Sequence, residues 1–252
     1  MKAYGLIGVA GFVALLEAVP RLGLVPAEYL PPASRIAVAL GEEARHAAFW
    51  QALLDTLQTW FAGLAIAAVA GFVAGVVIGS VPLLREYTAS TVEFLRPIPS
   101  VALIPLAVLL YGTARTATLL LVVYASFWQI LVQVLHGVAD VDPIARDTAR
   151  SFKLTAWQRL WRLTWPTALP YTMTGLRLAT AVALILTITG ELIIGTPGIG
   201  KEIAVAQSSG AVAAMYALVV VTGVLGVLAN LVTRAGERRV LAWHPAQRAA
   251  SA

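Results

Sequence analysis

The chain has no cysteine, three scattered histidines and few charges. Without cysteine there is no disulfide framework, no thiolate nucleophile and no cysteine-ligated metal. His46, His136 and His244 fall into no ligand spacing, so no metal site is expected. Charged residues make up 12% of the 252 positions, about half the share usual in a soluble domain. Apolar residues make up 59%, which excludes an ordinary globular enzyme, and no catalytic residue is expected. The net charge of +5 could suggest nucleic acid. In a polytopic membrane protein such a surplus sits in loops beside lipid headgroups, so lipid is the expected contact and no nucleic-acid partner is assigned.

What the chain does have is long uncharged runs. A helix needs about 20 apolar residues to cross the hydrocarbon. The runs predict six spans, at about 3–20, 57–81, 97–112, 116–136, 173–195 and 212–233. Between them lie an outer segment, 21–55, and a charged segment, 137–172. The first span has one lysine before it, and Val19-Pro20-Arg21 is a poor cleavage site, so it reads as a retained span rather than a signal peptide. With the N-terminus inside, Arg21, Arg35, Arg45, Arg115 and Lys201 lie outside and the other thirteen of the 18 Lys and Arg lie inside. That bias puts both termini in the cytoplasm. The expected fold is an all-α polytopic bundle forming one membrane domain over 1–252.

Glycines 63, 71, 75 and 79 share one helical face, the pattern by which membrane helices approach closely. Arg96-Pro97-Ile98-Pro99 opens the third span and Pro105 follows inside it. Prolines at a helix start need no donor, whereas Pro105 should kink the span or break it beside an aqueous path. Gly195-Thr196-Pro197-Gly198-Ile199-Gly200-Lys201 matches the front of a phosphate-binding loop, but Glu202 stands where a magnesium-binding hydroxyl belongs. No strand precedes it, so it reads as a Gly/Pro turn, and no nucleotide site is expected in this chain.

The most specific stretch runs from Asp140 to Arg177. Trp157, Trp161 and Trp165 recur every four residues and form one stripe on a helix, with Arg159 and Arg162 on other faces. Pro166 and Pro170 are expected to end that helix. By itself such a stretch fits an interfacial helix held by an aromatic belt or a docking surface for a soluble partner.

Its motifs resemble the "EAA" loop of permease subunits of binding-protein-dependent ABC importers. The matching residues are Asp147-Thr148-Ala149, Arg150-Ser151-Phe152, Trp157-Gln158-Arg159-Leu160-Trp161, Trp165-Pro166-Thr167-Ala168-Leu169-Pro170 and Thr174-Gly175-Leu176-Arg177. Leu95 to Leu106, with its Arg-Pro-Ile-Pro-Ser run, resembles the nitrate/sulfonate/taurine/bicarbonate group, and Gly190-Glu191-Leu192-Ile193 with Gly198-Ile199-Gly200 also agrees. The resemblance covers about residues 50–245. It implies a type I importer permease that pairs with a second copy in the cell membrane. It further implies two ATPase subunits, which hold the ATP and magnesium, and an extracytoplasmic binding protein that delivers a small organic or inorganic anion. This chain itself would carry no cofactor. The coupling helix maps to about Asp147–Ala156, with Asp147, Thr148, Ala149, Arg150, Ser151, Lys153, Leu154, Ala156 and Trp157 as coupling residues. Asp147-Thr148 stands where the family has Glu-Ala, and Lys153 where it usually has glycine.

Arg96, Pro97, Pro99, Pro105 and Glu191 are the pathway or gating candidates. An intramembrane carboxylate such as Glu191 is costly and calls for a role, either in the path or as a partner between helices. On the residues alone, an ion-driven carrier and a non-transporting scaffold stay open as alternatives.

Overall fold

The structure is a computed structural model that describes residues 2–243. His244 and Arg248, which enter the metal and charge arguments above, lie outside the described residues. Every regular element among the described residues is helical. In chain order these are α1 (Lys2–Arg21), α2 (Ala33–Glu43), α3 (Ala47–Ser80), α4 (Pro82–Leu95), a 3-10 turn (Ser100–Leu103), α5 (Ile104–Tyr111), α6 (Arg115–Ala139), α7 (Pro143–Ser151), α8 (Ala156–Arg159), a π-helical turn (Leu160–Thr164), α9 (Trp165–Ile194), α10 (Ile199–Ser208) and α11 (Val212–Val240).

Four stretches are long and apolar enough to cross a membrane: α3, α6, α11 and the run Ala156–Ile194. A fifth crossing becomes possible if α4 and Ser100–Tyr111, bent by 83° at their junction, are taken together. The chain divides into two compact units. One holds the residues up to Leu57 with Ile188–Leu225, the other Gln58–Thr187 with the residues from Gly226 onward.

The second unit is built on the glycine stripe. A Cβ on Gly63, Gly71, Gly75 or Gly79 would lie 2.5 to 3.0 Å from the side chains of Val122, Ile130, Val134 and Val138 respectively. The partners advance in step with the glycines, so this part of α3 and α6 run parallel and their backbones nearly touch. Gly137 meets Ala168, and Gly175 meets Gln133 and Ile130, so α9 packs antiparallel on α6 through a second small-residue seam. Trp60 Nε1 donates to the Thr180 carbonyl at 3.1 Å and Phe72 meets Trp165 edge-on, which closes the third side. Ile130, Val134, Val138, Ala168 and Ala179 are the buried centre.

Parallel α3 and α6 force the chain between them to travel the full height of the bundle. Arg115 Nη1 donates to Gln58 Oε1 at 2.8 Å, which sets the start of α6 beside the Gln58 end of α3, while Ser80 ends beside Val138. The return from Ser80 to Arg115 is therefore made by α4, the 3-10 turn and α5 together. This changes the expected third span, 97–112. Ser100–Tyr111 is 12 residues, roughly 20 Å of helix against about 30 Å of hydrocarbon. Pro97 and Pro99 withdraw two donors and break the crossing, whereas Pro105 lies in the first turn of α5, where no partner is needed.

In the first unit Phe49, Ala52, Ile199, Ile203, Ala206 and Leu218 form the core, and Ile36 and Ala39 of α2 pack on Ala217. The segment 21–55, expected on the outer side, thus carries α2 and the first turns of α3.

Candidate functional site

The expected coupling residues fall on two short helices and the turn between them. Asp142 precedes α7 and its Oδ1 accepts from the Ile144 amide at 2.9 Å, with Pro143 in the first turn. An Asp-Pro pair is a helix start with a physical reason: the carboxylate takes an orphan amide and proline has none to lose. Asp147 is exposed and lies 3.5 Å from Arg150 Nη1. Such a pair is worth little. Thr148 Oγ1 donates back to the Ile144 carbonyl, Ala149 is buried, and Ser151 ends the helix on the exposed side.

The turn explains Lys153. The Lys153 amide donates to the Arg150 carbonyl at 2.8 Å and the Leu154 amide to the Ala149 carbonyl at 3.0 Å. These are the two bonds of a Schellman C-cap, which puts the residue after the cap in the left-handed region. Lys153 has φ of 55°, the sole positive φ outside glycine among the described residues. The family's glycine suits this backbone; here lysine accepts the steric cost. Thr155 then starts α8 with a full capping box, its hydroxyl accepting from the Gln158 amide while Gln158 Oε1 accepts from the Thr155 amide. Both caps are readable in the sequence, as Asp-Pro and as Thr-x-x-Gln, although the resemblance points to neither as a cap.

The expected coupling helix, Asp147–Ala156, is thus the end of one helix, a Schellman turn and the first residue of the next. Pro166 and Pro170 do not end the helix that carries the tryptophans. The chain passes through the π-helical turn Leu160–Thr164 into α9 without a break, and Pro170 lies inside α9. A π-turn shifts the bonding partners by one residue, the usual way a helix absorbs an unmatched carbonyl. Thr174 Oγ1 donates to the carbonyl of Pro170. Trp157, Trp161 and Trp165 stack edge to face at centroid distances of 5.5 and 6.0 Å, and the first two are half or more exposed. Arg177 lies 3.4 Å from Glu237.

Arg96 is at the break between α4 and the 3-10 turn, exposed and with no carboxylate partner among the described residues. The carbonyl of neighbouring Leu95 accepts from Tyr124 Oη at 2.7 Å. Tyr124 is nine residues into α6, or about 13 Å along an axis of about 37 Å. The break, with Pro97 and Pro99 beside it, therefore lies beside α6 about a third of the way from its Arg115 end.

Glu191, in the first unit, is fully buried. Its Oε2 accepts from Thr56 Oγ1 at 2.9 Å and from the Gly200 amide at 2.9 Å, and Thr56 Oγ1 in turn accepts from the Ile199 amide at 2.8 Å. The carboxylate thus caps α10 directly at its second amide and through a hydroxyl at its first. A Cβ on Gly198, whose φ is +152°, would lie 2.1 Å from Glu191 Cδ, and one on Gly200 would lie 2.4 Å from the Ile188 carbonyl. The loop that resembles a phosphate cradle closes on a carboxylate of its own chain.

The sequence matches the family model described as binding-protein-dependent transport system inner membrane component over residues 44–242. It is 30% identical to the taurine transport system permease protein TauC of Escherichia coli (strain K12), over 90% of this chain and 84% of that one. It is 25% identical to the putative aliphatic sulfonates transport permease protein SsuC of Bacillus subtilis (strain 168), over 95% and 87%. Among solved structures, the inward-facing MetNI methionine ABC transporter aligns with a TM-score of 0.65 at 18% identity, over 77% of this chain and 96% of that one. That identity carries the fold alone.

Proposed function

The chain belongs to the binding-protein-dependent transport system inner membrane components, as a multi-pass permease subunit of an ABC importer, and from that premise we propose how it works. Both termini lie in the cytoplasm, α1 makes the sixth crossing beside the five described above, and the whole chain serves as one permease domain of the cell membrane. Two copies pair. Two ATPase subunits bind ATP and magnesium and hydrolyse the nucleotide, and an external binding protein delivers the cargo.

The observation that carries the coupling role is the capped segment Asp142–Gln158. It joins α6 to the long run that becomes α9, and each of its helices starts with a side-chain cap of its own. A segment held so firmly can move as a body when a partner pushes on Asp147, Thr148, Ser151 or Trp157. Ala149 and Leu154 anchor it, Arg150, Lys153 and Ala156 set the turn, and the π-turn transmits its motion to α9.

The cargo is a small anion, a sulfonate, taurine, nitrate or bicarbonate, as the names of the relatives suggest. Arg96 supports this class: broken helices are where transporters build cargo paths, and a cation with no carboxylate partner at such a break favours anions. Glu191 acts as an internal cap rather than a cargo ligand. The test is co-purification of the chain with the ATPase encoded beside it, read with ATP turnover. A stable complex whose turnover changes, and which Ser151→Arg on the exposed face of α7 disrupts, supports coupling through this segment. A complex that forms equally well with Ser151→Arg and with 147–156 deleted would overturn it. Uptake of an anionic cargo should fall with Arg96→Gln and partly return with Arg96→Lys.

A further inference from the structure

Beneath the coupling segment, in the second unit, lies a cavity of about 610 Å³. Its lining includes Arg85 at the start of α4, Arg146 and Arg150 one turn apart on α7, and Arg159 at the end of α8. Glu86 is the one carboxylate among the lining residues, so the cavity carries a surplus of three positive charges. Arg85, Arg146 and Arg159 have no carboxylate partner among the described residues, and Arg150 meets Asp147 only at 3.5 Å. Asp147, Thr148 and Ser151 do not line the cavity, so α7 presents one face to it and leaves another to a soluble partner.

Its depth is fixed by what surrounds it. Gly79 and Ser80 at the end of α3, and Val138 and Ala139 at the end of α6, line the same space. These are the last turns of two membrane-crossing helices, the level at which headgroups lie. Leu160 and Thr164 line it as well and also line a small apolar pocket with Trp161 and Trp165. An exposed tryptophan stripe beside a basic cavity marks the boundary between hydrocarbon and headgroups.

We propose that this cavity binds a phosphate-type oxyanion, supplied by the headgroup of an anionic phospholipid, and that the bound headgroup ties the coupling segment to the ends of α3 and α6. Guanidinium groups suit this ligand because they pair with phosphoryl oxygens in forked geometry. Basic pockets between spans are a known way to hold anionic headgroups. The volume suits a headgroup with its glycerol better than a bare ion. The tryptophan stripe gives the acyl chains an adjoining apolar surface, which free phosphate would not need.

The test uses the full chain in nanodiscs of equal phosphatidylglycerol and phosphatidylcholine, with lipids that survive release counted by native mass spectrometry. Selective retention of phosphatidylglycerol is expected. It should weaken about fivefold per arginine removed in Arg85→Gln and Arg159→Gln, strengthen in Glu86→Gln, and not change in Arg238→Gln. The opposite signs of the arginine and glutamate variants separate a lost site from a misfolded chain. Inorganic phosphate is titrated in a second arm on the chain in phosphatidylcholine alone. Binding there that the same arginine variants abolish, without retention of phosphatidylglycerol, would keep the oxyanion site and assign it to a soluble ion. Equal retention of both lipids with no binding of phosphate would overturn the proposal. No ATPase is present in either arm, so failure here is distinct from failure of the coupling reading.

Discussion

The cluster around Glu191 and the coupling segment Asp142–Gln158 satisfy their helix ends by opposite means. At Glu191 the caps come from far along the chain: Thr56 and Glu191 serve the first amides of α10 across 143 and 9 positions. The site is fully buried and has no room for one more carbon at Gly198. In the coupling segment every cap is local, within five residues, and the surface is open. The first arrangement exists only when the bundle has packed. The second can form whenever the short helices form, and so can keep its shape while neighbours move. Under the proposed coupling role, the first would serve as a fixed joint and the second as a lever.

The comparison breaks most readily at Gly198. Gly198→Ala sets a methyl against the carboxylate at 2.1 Å in a backbone region that disfavours side chains. The loss should be on the order of 3 kcal/mol or more, seen as a lower melting temperature of the detergent-solubilised chain. Gly226→Ala, with its nearest neighbour at 3.8 Å, should change little. Equal effects would mean that the loop yields and the joint is not rigid.

Next comes Thr56→Val. The swap keeps the shape but leaves the Ile199 amide and one bond to Glu191 unmet in a buried place. A loss of about 1–3 kcal/mol is expected, again by thermal melting. Glu191→Gln keeps an acceptor for the Gly200 amide and should cost less than Thr56→Val. Transport that falls with Glu191→Gln while the melting temperature holds would return Glu191 to the pathway.

Much of the second unit was legible beforehand. The glycine stripe at 63, 71, 75 and 79 has a period that only close helix packing explains, and the structure sets all four against α6. The EAA-type motif marked the stretch that holds α7, the Schellman turn and α8, but not its unbroken passage into α9. The broken crossing was half legible: the prolines announced an interruption, but only the parallel pairing of α3 with α6 shows that α4 belongs to the same crossing. The Glu191 cap was not legible, because nothing local joins Thr56 to Ile199. The continuous passage through Pro166 and Pro170 was misread for a related reason. Proline removes a donor at a known position, but whether the helix ends there depends on whether a π-turn takes up the slack.

On the coupling side, effects should be smaller and local. Asp142→Ala removes the cap of α7 and should cost about 1 kcal/mol. Faster amide exchange confined to 143–151, with an unchanged melting temperature of the whole chain, is the expected reading. A drop in global melting would mean that the segment is part of the packed bundle and the contrast with Glu191 is false.

The smallest expected effect is the most informative, because it separates shape from charge at one residue. Lys153 stands in the left-handed position of the Schellman turn with φ of 55°. Glycine there should stabilise the turn by about 1 kcal/mol while removing a cation from the surface proposed to meet the ATPase. Glutamate keeps the steric cost and reverses the charge. If the segment works as a rigid lever, Lys153→Gly slows amide exchange at 149–154 and leaves co-purification with the ATPase nearly intact, whereas Lys153→Glu weakens co-purification with little change in exchange. If Lys153→Gly abolishes co-purification as thoroughly as Lys153→Glu, the ammonium group itself holds the partner, and the departure from the family's glycine marks an ATPase with a matching acidic surface. If neither variant alters co-purification, the turn lies away from the contact, which would then be confined to the exposed face of α7.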